Sequence, residues 1–292
     1  MHEIVVRPLA TPEEYIQAEL IQLDAWHMAD REVVPAHALH AMQHNGAAVL
    51  GAFDGEQMVG FALGILATVE DSNNRADQVA AARLKMFSVI AGVLPAYQKS
   101  GVGFRLKMAQ REFAIRIGVR LITWTYDPLE SVNARFNIGK LGTVCQTYLR
   151  HFHGDMGGIN AGLPTDRFEV EWWVTSNRVQ ARAAQRWHPL KLDSLLGGGA
   201  IVVNEATFNT AGLPVPPPNY ISHPSSLMLV EIPADMQAIK RADADLAQRW
   251  RYHTRDVFEG LFHSGFLVTD FVSQEDSAGH LRSYYLLAHQ DG

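Results

Sequence analysis

The stretch Phe87-Ser88-Val89-Ile90-Ala91-Gly92-Val93-Leu94-Pro95-Ala96-Tyr97-Gln98-Lys99-Ser100-Gly101-Val102-Gly103 decides how this chain is read. It begins as an apolar strand, turns sharply at Pro95, and enters a helix through Gln98-x-x-Gly101-x-Gly103. The helix that follows is amphipathic, with Val102, Leu106, Ala109, Phe113 and Ile117 on one stripe. A strand, a glycine turn and a helix start suit a pyrophosphate. The first N–H groups of the helix have no partner inside it, and its dipole favours negative charge there. Gly101 and Gly103 let a phosphate approach without a Cβ in the way. Gln98 offers an amide donor, and Lys99 and Lys107 are placed in sequence to supply charge. The first glycine of a dinucleotide fingerprint is missing, and no Gly-Lys-Ser/Thr makes it a P-loop.

Elements on either side alternate. A strand at 4–9 precedes a helix that Thr11-Pro12-Glu13-Glu14 opens and that runs to about Trp26. A second helix spans about 35–44 and stops at Asn45-Gly46. Asp54-Gly55-Glu56-Gln57 joins two apolar runs, 47–53 and 58–67, as a hairpin. After the helix at 101–117 come a strand at 119–126, a short helix ending in Lys140-Leu141-Gly142, and a strand at 143–150. Residues 154–162 are glycine-rich, and Glu171-Trp172-Trp173 lies on a strand that turns its two tryptophans to opposite sides.

This order and its turn resemble motif A of the GNAT superfamily of N-acetyltransferases, whose signature is Gln/Arg-x-x-Gly-x-Gly/Ala. The resemblance covers residues 4–150. The segment from Gly157 to Arg167, with Glu171-Trp172-Trp173, is similar to a GNAT subgroup that carries a C-terminal extension. It implies an α/β (α+β) fold with a mixed, mostly antiparallel central sheet flanked by helices. It also implies acetyl-CoA as co-substrate and an amine as acceptor. Backbone around Val93 and Leu94 would meet the pantetheine and acetyl carbonyl, and Gln98, Lys99, Ser100, Gly101, Val102 and Gly103 would hold the pyrophosphate. Asn133 would contact the pantetheine arm, although Ser131 stands where the family more often has asparagine. Many members carry a tyrosine as general acid three residues before the Leu-Gly end; here that place is Ile138, which has no proton to give. Tyr126 and Tyr148 are the alternative acids. Candidate bases are Glu70, placed first because the family often has a carboxylate on that strand or the next, then Asp127 and Glu130.

Other patterns carry less chemistry. His37, His40 and His44 share a helix face without a carboxylate or cysteine to complete a metal site, so no metal is expected. Cys145 sits mid-strand, where a cysteine is usually a small core hydrophobe. The sequence places a GNAT-like domain at 1–176 and a smaller α/β extension at 177–292, the latter introduced by the basic run Arg178, Arg182 and Arg186. Strand 227–232, a helix at 243–262 and strands 266–272 and 283–288 read as a degenerate half of the same fold, lacking a glycine turn. Alternatives to an acetyltransferase are a non-catalytic acyl-CoA-binding module and an aminoacyl transferase built from paired GNAT halves.

Composition bounds the rest. The 292 residues are 47% hydrophobic and 19% charged, with 25 Lys plus Arg against 31 Asp plus Glu and a net charge of −6. That density of apolar residues supports a packed core and excludes a disordered chain. One cysteine excludes a disulfide framework and fits a reducing, cytoplasmic setting. The mild acidity lacks the cationic footprint of a nucleic-acid binder. No apolar run approaches membrane-spanning length, so no membrane partner is expected; a homodimer is compatible with all of this.

Overall fold

Residues 48–54 and 57–68 read as almost unbroken apolar runs because both faces of the sheet they build are covered. The structure is a computed structural model and describes residues 3–26, 33–69, 84–154, 162–221 and 225–289. The chain divides into two compact units, Met1–Trp124 with Trp173–Ser176, and Thr125–Trp172 with Asn177–Gly292.

In the first unit, strands β1 (Ile4–Pro8), β2 (Ala48–Asp54), β3 (Gln57–Thr68) and β4 (Leu84–Val93) pair antiparallel in sequence order. Strand β5 (Leu121–Tyr126) then joins β4 in parallel. Helices α1 (Pro12–Trp26) and α2 (Ala36–His44) cover one face, where Tyr15, Ile21 and Leu39 pack with Val49, Phe53, Phe61 and Leu63. Helix α3 (Val102–Arg116) covers the other, where Val102 and Leu106 meet Leu50, Ala52, Val59 and Ala62. Neighbouring residues of one strand, Val49 and Leu50 or Phe61 and Ala62, thus enter opposite cores, as the period of two requires. Residues 173–176 belong here because Val174 N–H donates to Arg120 O and its carbonyl accepts from Arg111 Nε.

In the second unit the strand order is β7 (Arg167–Trp173), β6 (Val144–Leu149), β12 (Phe266–Glu275), β13 (Leu281–His289), β11 (Leu227–Ile232), β8 (Ile201–Val202). All neighbours are antiparallel except β11 and β8. Residues 125–172, which the sequence reading grouped with the first domain, cluster with the tail for a visible reason. Phe168 of β7 is the hub of an aromatic core, with ring centroids 6.0 Å from Tyr126, 5.8 Å from Tyr148, 4.7 Å from Phe258 and 5.4 Å from Tyr285. Most of these pairs are edge-on, the arrangement the ring quadrupoles favour. Trp172 is fully buried and Trp173 is 47% exposed, the opposite-sided pair the strand pattern requires.

The helices of this unit are α4 (Ser131–Ala134), which continues as a π-turn over Arg135–Lys140, α5 (Asn177–Ala183), α6 (Leu192–Gly197), α7 (Met236–Ala242) and α8 (Ala244–His263). The sequence reading missed α7. Asp235 caps it by accepting from Ala238 N, and Asp243 caps α8 by accepting from Leu246 N. The tail is also not laid out like the motif around β4 and β5. Strands β11 and β12, which flank α7 and α8, are separated by β13 rather than paired in parallel.

Charges are buried in this unit and all are paired. Arg182 binds Asp270 at 2.7 Å, and Arg282 binds both oxygens of Glu231 at 2.6 and 2.8 Å. Removing one member of such a pair leaves an uncompensated charge. Arg282→Met is therefore expected to lower unfolding free energy by about 3 kcal/mol in urea titrations, because Glu231 stays behind with no cation; a loss below about 1 kcal/mol would show that the pair is not needed.

Candidate functional site

Strand β4 is paired to β3 over its whole length, but to β5 at only two positions, Met86 with Ile122 and Phe87 with Thr123. From Ser88 to Val93 its β5-facing edge has no strand partner among the described residues. A bulge begins the departure: Ile90 faces Leu63 and Ser88 faces Gly64, so Val89 faces nothing. A bulge of this kind bends its strand and increases local twist. The result is a strand edge without a ladder partner beside half-exposed Val93 and Leu94.

The turn that follows contains a one-turn 3-10 helix, Pro95–Tyr97, and is braced from inside. Tyr97 Oη donates to Asp54 at 3.0 Å, Ser100 Oγ donates to Tyr97 O at 2.6 Å, and Gln98 Nε2 donates to Val93 O at 3.3 Å. Gly101 adopts φ +94° as the N-cap of α3, a conformation that L-residues strain to reach. It supplies no side-chain cap. Gln98, Lys99 and Ser100 are exposed at this turn, and Gly101 and Gly103 are half-buried. Helices α7 and α8 are instead each closed by an aspartate. The first unit thus brings together antiparallel strands, a bulged strand parting from its parallel neighbour, and a glycine turn without a side-chain cap.

Lys107 is placed differently from the expectation. It does not face the turn but is buried, with Nζ donating to Ser88 Oγ at 2.8 Å and lying 3.8 Å from the Trp124 ring centroid. Ser88 Oγ in turn donates to Gln110 Oε1 at 3.1 Å. Burial alone pushes the amine down to about 7.

In the second unit the chain leaves β5 through Tyr126-Asp127-Pro128-Leu129-Glu130. Tyr126 is buried, and its hydroxyl lies 3.1 Å from that of Tyr285. Tyr285 spends its single proton on Pro128 O, so Tyr126 is the donor of the pair. Desolvation holds both phenols well above the ordinary range. Tyr148 donates to Asp166 at 2.7 Å and is likewise shifted upward by burial. The protons of both candidate acids are therefore engaged inside the fold. Asp127 is engaged too. Oδ2 accepts from Arg251 Nη2 at 2.5 Å with Arg167 at 3.6 Å, and Oδ1 accepts from Leu129 N.

Glu130 is the exception. It is half-buried, accepts one bond from Gln237 Nε2 at 2.5 Å, and is held above the usual carboxylate range by burial, with Asp127 adding repulsion. It lines a small cleft with Asp127, Thr165, Gln237, Lys240 and Arg251. Gln237, Lys240 and Arg251 were not singled out from the sequence. The available signal was Arg251 itself, a charged residue on the buried face of α8 between Ala247, Trp250 and Thr254.

The remaining candidates fall as follows. Glu70 lies outside the described residues, as does most of the glycine-rich run at 154–162. Asn133 is exposed on α4, while Ser131 Oγ is bound to Ala234 O at 2.5 Å. Ile138 and Cys145 are fully buried, and burial raises the Cys145 thiol far from the thiolate range. His40 packs on Tyr15 with ring centroids 4.9 Å apart.

No family model and no curated protein matches the chain. Among solved structures it is similar to the ribosomal-protein-S18-alanine N-acetyltransferase of Escherichia coli, at 14% identity and a TM-score of 0.45, over 59% of this chain and 95% of that one. It is also similar to NAA60 of Arabidopsis thaliana in complex with a bisubstrate analogue, at 16% identity and a TM-score of 0.46, over 58% and 98%. A third likeness is to Naa20 of Chaetomium thermophilum with a bisubstrate analogue, at 13% identity and 0.45, over 64% and 93%. These figures do not bear on the chemistry of this chain.

The buried amine makes stability depend on pH with a defined sign. Its folded pKa is depressed to about 7 from 10.5, so between those values the unfolded chain binds a proton that the folded chain does not. Stability should therefore rise with pH across that window, by up to about 1.4 kcal/mol per unit, and the penalty is fully present below it. Lys107→Met removes this charge from the interior. Urea titrations from pH 7 to 10 should show a flatter profile in the variant, and identical slopes would mean that the amine is solvated.

Proposed function

We propose that the protein is an acetyl-CoA-dependent N-acetyltransferase that moves the acetyl group directly to an amine in a ternary complex. The observation that carries this is the parting of β4 from β5 after Phe87 and Thr123, followed by an uncapped helix start at Gly101. A strand edge without a ladder partner offers amide hydrogen bonds to the pantetheine arm, and a helix start without a side-chain cap, beside exposed Gln98 and Ser100, suits the pyrophosphate. A backbone N–H on the bulged part of β4 is available to the oxyanion of the tetrahedral intermediate.

The nitrogen lone pair of the acceptor attacks the thioester carbon, the C–S bond breaks, and the thiol product leaves. The acceptor must first lose a proton, and among the described carboxylates of the second unit Glu130 is the one whose state suits a base. Its carboxylate is held at a raised pKa and keeps only one side-chain donor, whereas Asp127 is locked by Arg251 and a backbone N–H. With Ile138 in place of a tyrosine and the protons of Tyr126 and Tyr148 engaged, the thiolate departs without a phenol acid. A thiol ionises at about 8.5, below an ordinary alkylammonium at about 10.4, so the thiolate is an adequate leaving group without an acid.

The absence of a phenol donor also favours a second reading, a module that binds acyl-CoA without turnover. Tight binding with no thiol release across a broad panel of amines would select it.

Two measurements test the leading reading. Gly101→Glu should weaken acetyl-CoA by at least about tenfold in calorimetry, since it sets a carboxylate at the anion site; Gly101→Ala isolates the backbone strain of about 1 kcal/mol. Equal affinity for all three proteins would sink the pyrophosphate assignment. Glu130→Gln should lower kcat/KM by about a hundredfold and abolish the rise of rate with pH that ionisation of Glu130 produces. An unchanged profile would move the base elsewhere.

A further inference from the structure

Helix α3 buries two stripes, and they differ in kind. Val102 and Leu106 pack on the apolar core of β2 and β3. Lys107, Gln110 and Ala114, at i, i+3 and i+7, are buried as well, and two of these three are polar. Both polar groups meet Ser88 of β4. Lys107 Nζ donates to Ser88 Oγ at 2.8 Å, and that hydroxyl donates on to Gln110 Oε1 at 3.1 Å. The same amine lies 3.8 Å from the ring centroid of Trp124 on β5. Ser88 and Trp124 hold a particular place. The parallel ladder pairs Met86 with Ile122 and Phe87 with Thr123, so its next step would set Ser88 against Trp124. No ladder pair forms there among the described residues, and the two positions are joined instead through a side chain of α3.

An amine is a costly choice for this place. It is 5% exposed, and among the described residues no carboxylate is paired with it. Leucine or methionine would fill a similar volume without that cost, and a core position that breaks apolar packing is expected where function asks for it. We propose that Lys107 is a positioning residue for acyl-CoA, tying Ser88 of β4 and the Trp124 ring of β5 to α3 and so fixing the width of the opening between the two strands. The opening begins at this step and leads to the strand edge assigned above to the pantetheine arm. The inference rests on that acyl-CoA reading and holds for a transferase and for a binding module alike. Lys107 touches no ligand in this role and acts through the strands. A hydrogen bond on one side and a cation–π contact on the other leave the spacing little freedom, and an opening held ready loses less entropy when its ligand enters.

The test uses the whole protein and acetyl-CoA. Lys107→Met, Ser88→Ala and the double variant are titrated by calorimetry at neutral pH. Methionine has a similar length and can lie on the indole, but it has no donor for Ser88. Each single variant should weaken acetyl-CoA about fivefold, the scale of one hydrogen bond. The double variant should lose no more than either single one, because both break the same link. Ser88→Thr keeps the hydroxyl and should bind as the wild type does. The urea midpoint of Lys107→Met should stay level or rise, since a buried amine has been removed. Wild-type affinity in either single variant, or losses that add in the double, overturns the positioning role while the acyl-CoA reading stands. Affinity lost together with stability also overturns it, because Lys107 would then be a packing residue. If Lys107→Met does not fold, Ser88→Ala against Ser88→Thr decides, and equal affinity of those two overturns the role. Failure of the wild-type chain to bind acetyl-CoA removes the acyl-CoA reading, and this inference with it.

Discussion

The parting of β4 from β5 is the constraint on which the first unit is built. Two parallel strands normally continue their ladder, because an unpaired backbone edge inside a fold is expensive. Here the ladder stops after two residue pairs, and three local features hold it open. The Val89 bulge bends β4 away, Pro95 ends it with a residue that has no N–H to pair, and the buried side chains of α3 fix the far end against β2 and β3. Position 88 sits where the pairing ends, and Ser88 there receives the Lys107 amine. A polar residue at that point gives the buried lysine a partner that neighbouring Met86 could not. The edge beyond has no strand partner among the described residues.

The second unit solves a different problem by different means. Its interior holds Asp127, Asp166, Glu231 and Asp270, each matched to arginine, around a hub of stacked and edge-on rings. Matched pairs of this sort add little net stability over apolar residues of the same volume, but a lost partner is heavily penalised. They therefore fix which residues face one another more than they raise the stability of the whole. Against that background Arg251 stands out, since its pairing uses one nitrogen where Arg255 uses two.

Much of the first unit was legible in the sequence because its signals are local. The Thr11-Pro12 helix start, the Asp54–Gln57 hairpin, and the glycine turn at 101 each depend on a few adjacent residues, and each is found where the pattern placed it. Lys107 was not legible. A lysine at a helix position beside a presumed anion site reads as a charge donor, and only the packing of Trp124 and Ser88 around it shows otherwise. Helix α7 was missed because Pro233-Ala234-Asp235 looks like a loop until Asp235 is seen to cap it. The partners of Asp127 were out of reach for another reason. Arg251 follows it by 124 residues, and no local pattern relates positions so far apart.

The two helix starts after β4 and after β11 bear on whether the tail repeats the first unit. An anion site at a helix start needs vacant N–H groups, and a capping aspartate both occupies one and repels the ligand's charge. Gly101 leaves α3 open, whereas Asp235 and Asp243 close α7 and α8 with their own carboxylates. Strand β11 has β13 antiparallel along one edge and β8 parallel at two positions on the other, and β12, which follows α8, does not lie beside it. The capping aspartates therefore work against a pyrophosphate site at either helix start after β11. What the tail contributes instead is a helix pair whose side chains, Gln237, Lys240 and Arg251, surround Glu130. The residues that follow β5 thus find their partners in the tail, which surrounds Glu130 rather than repeating a glycine turn.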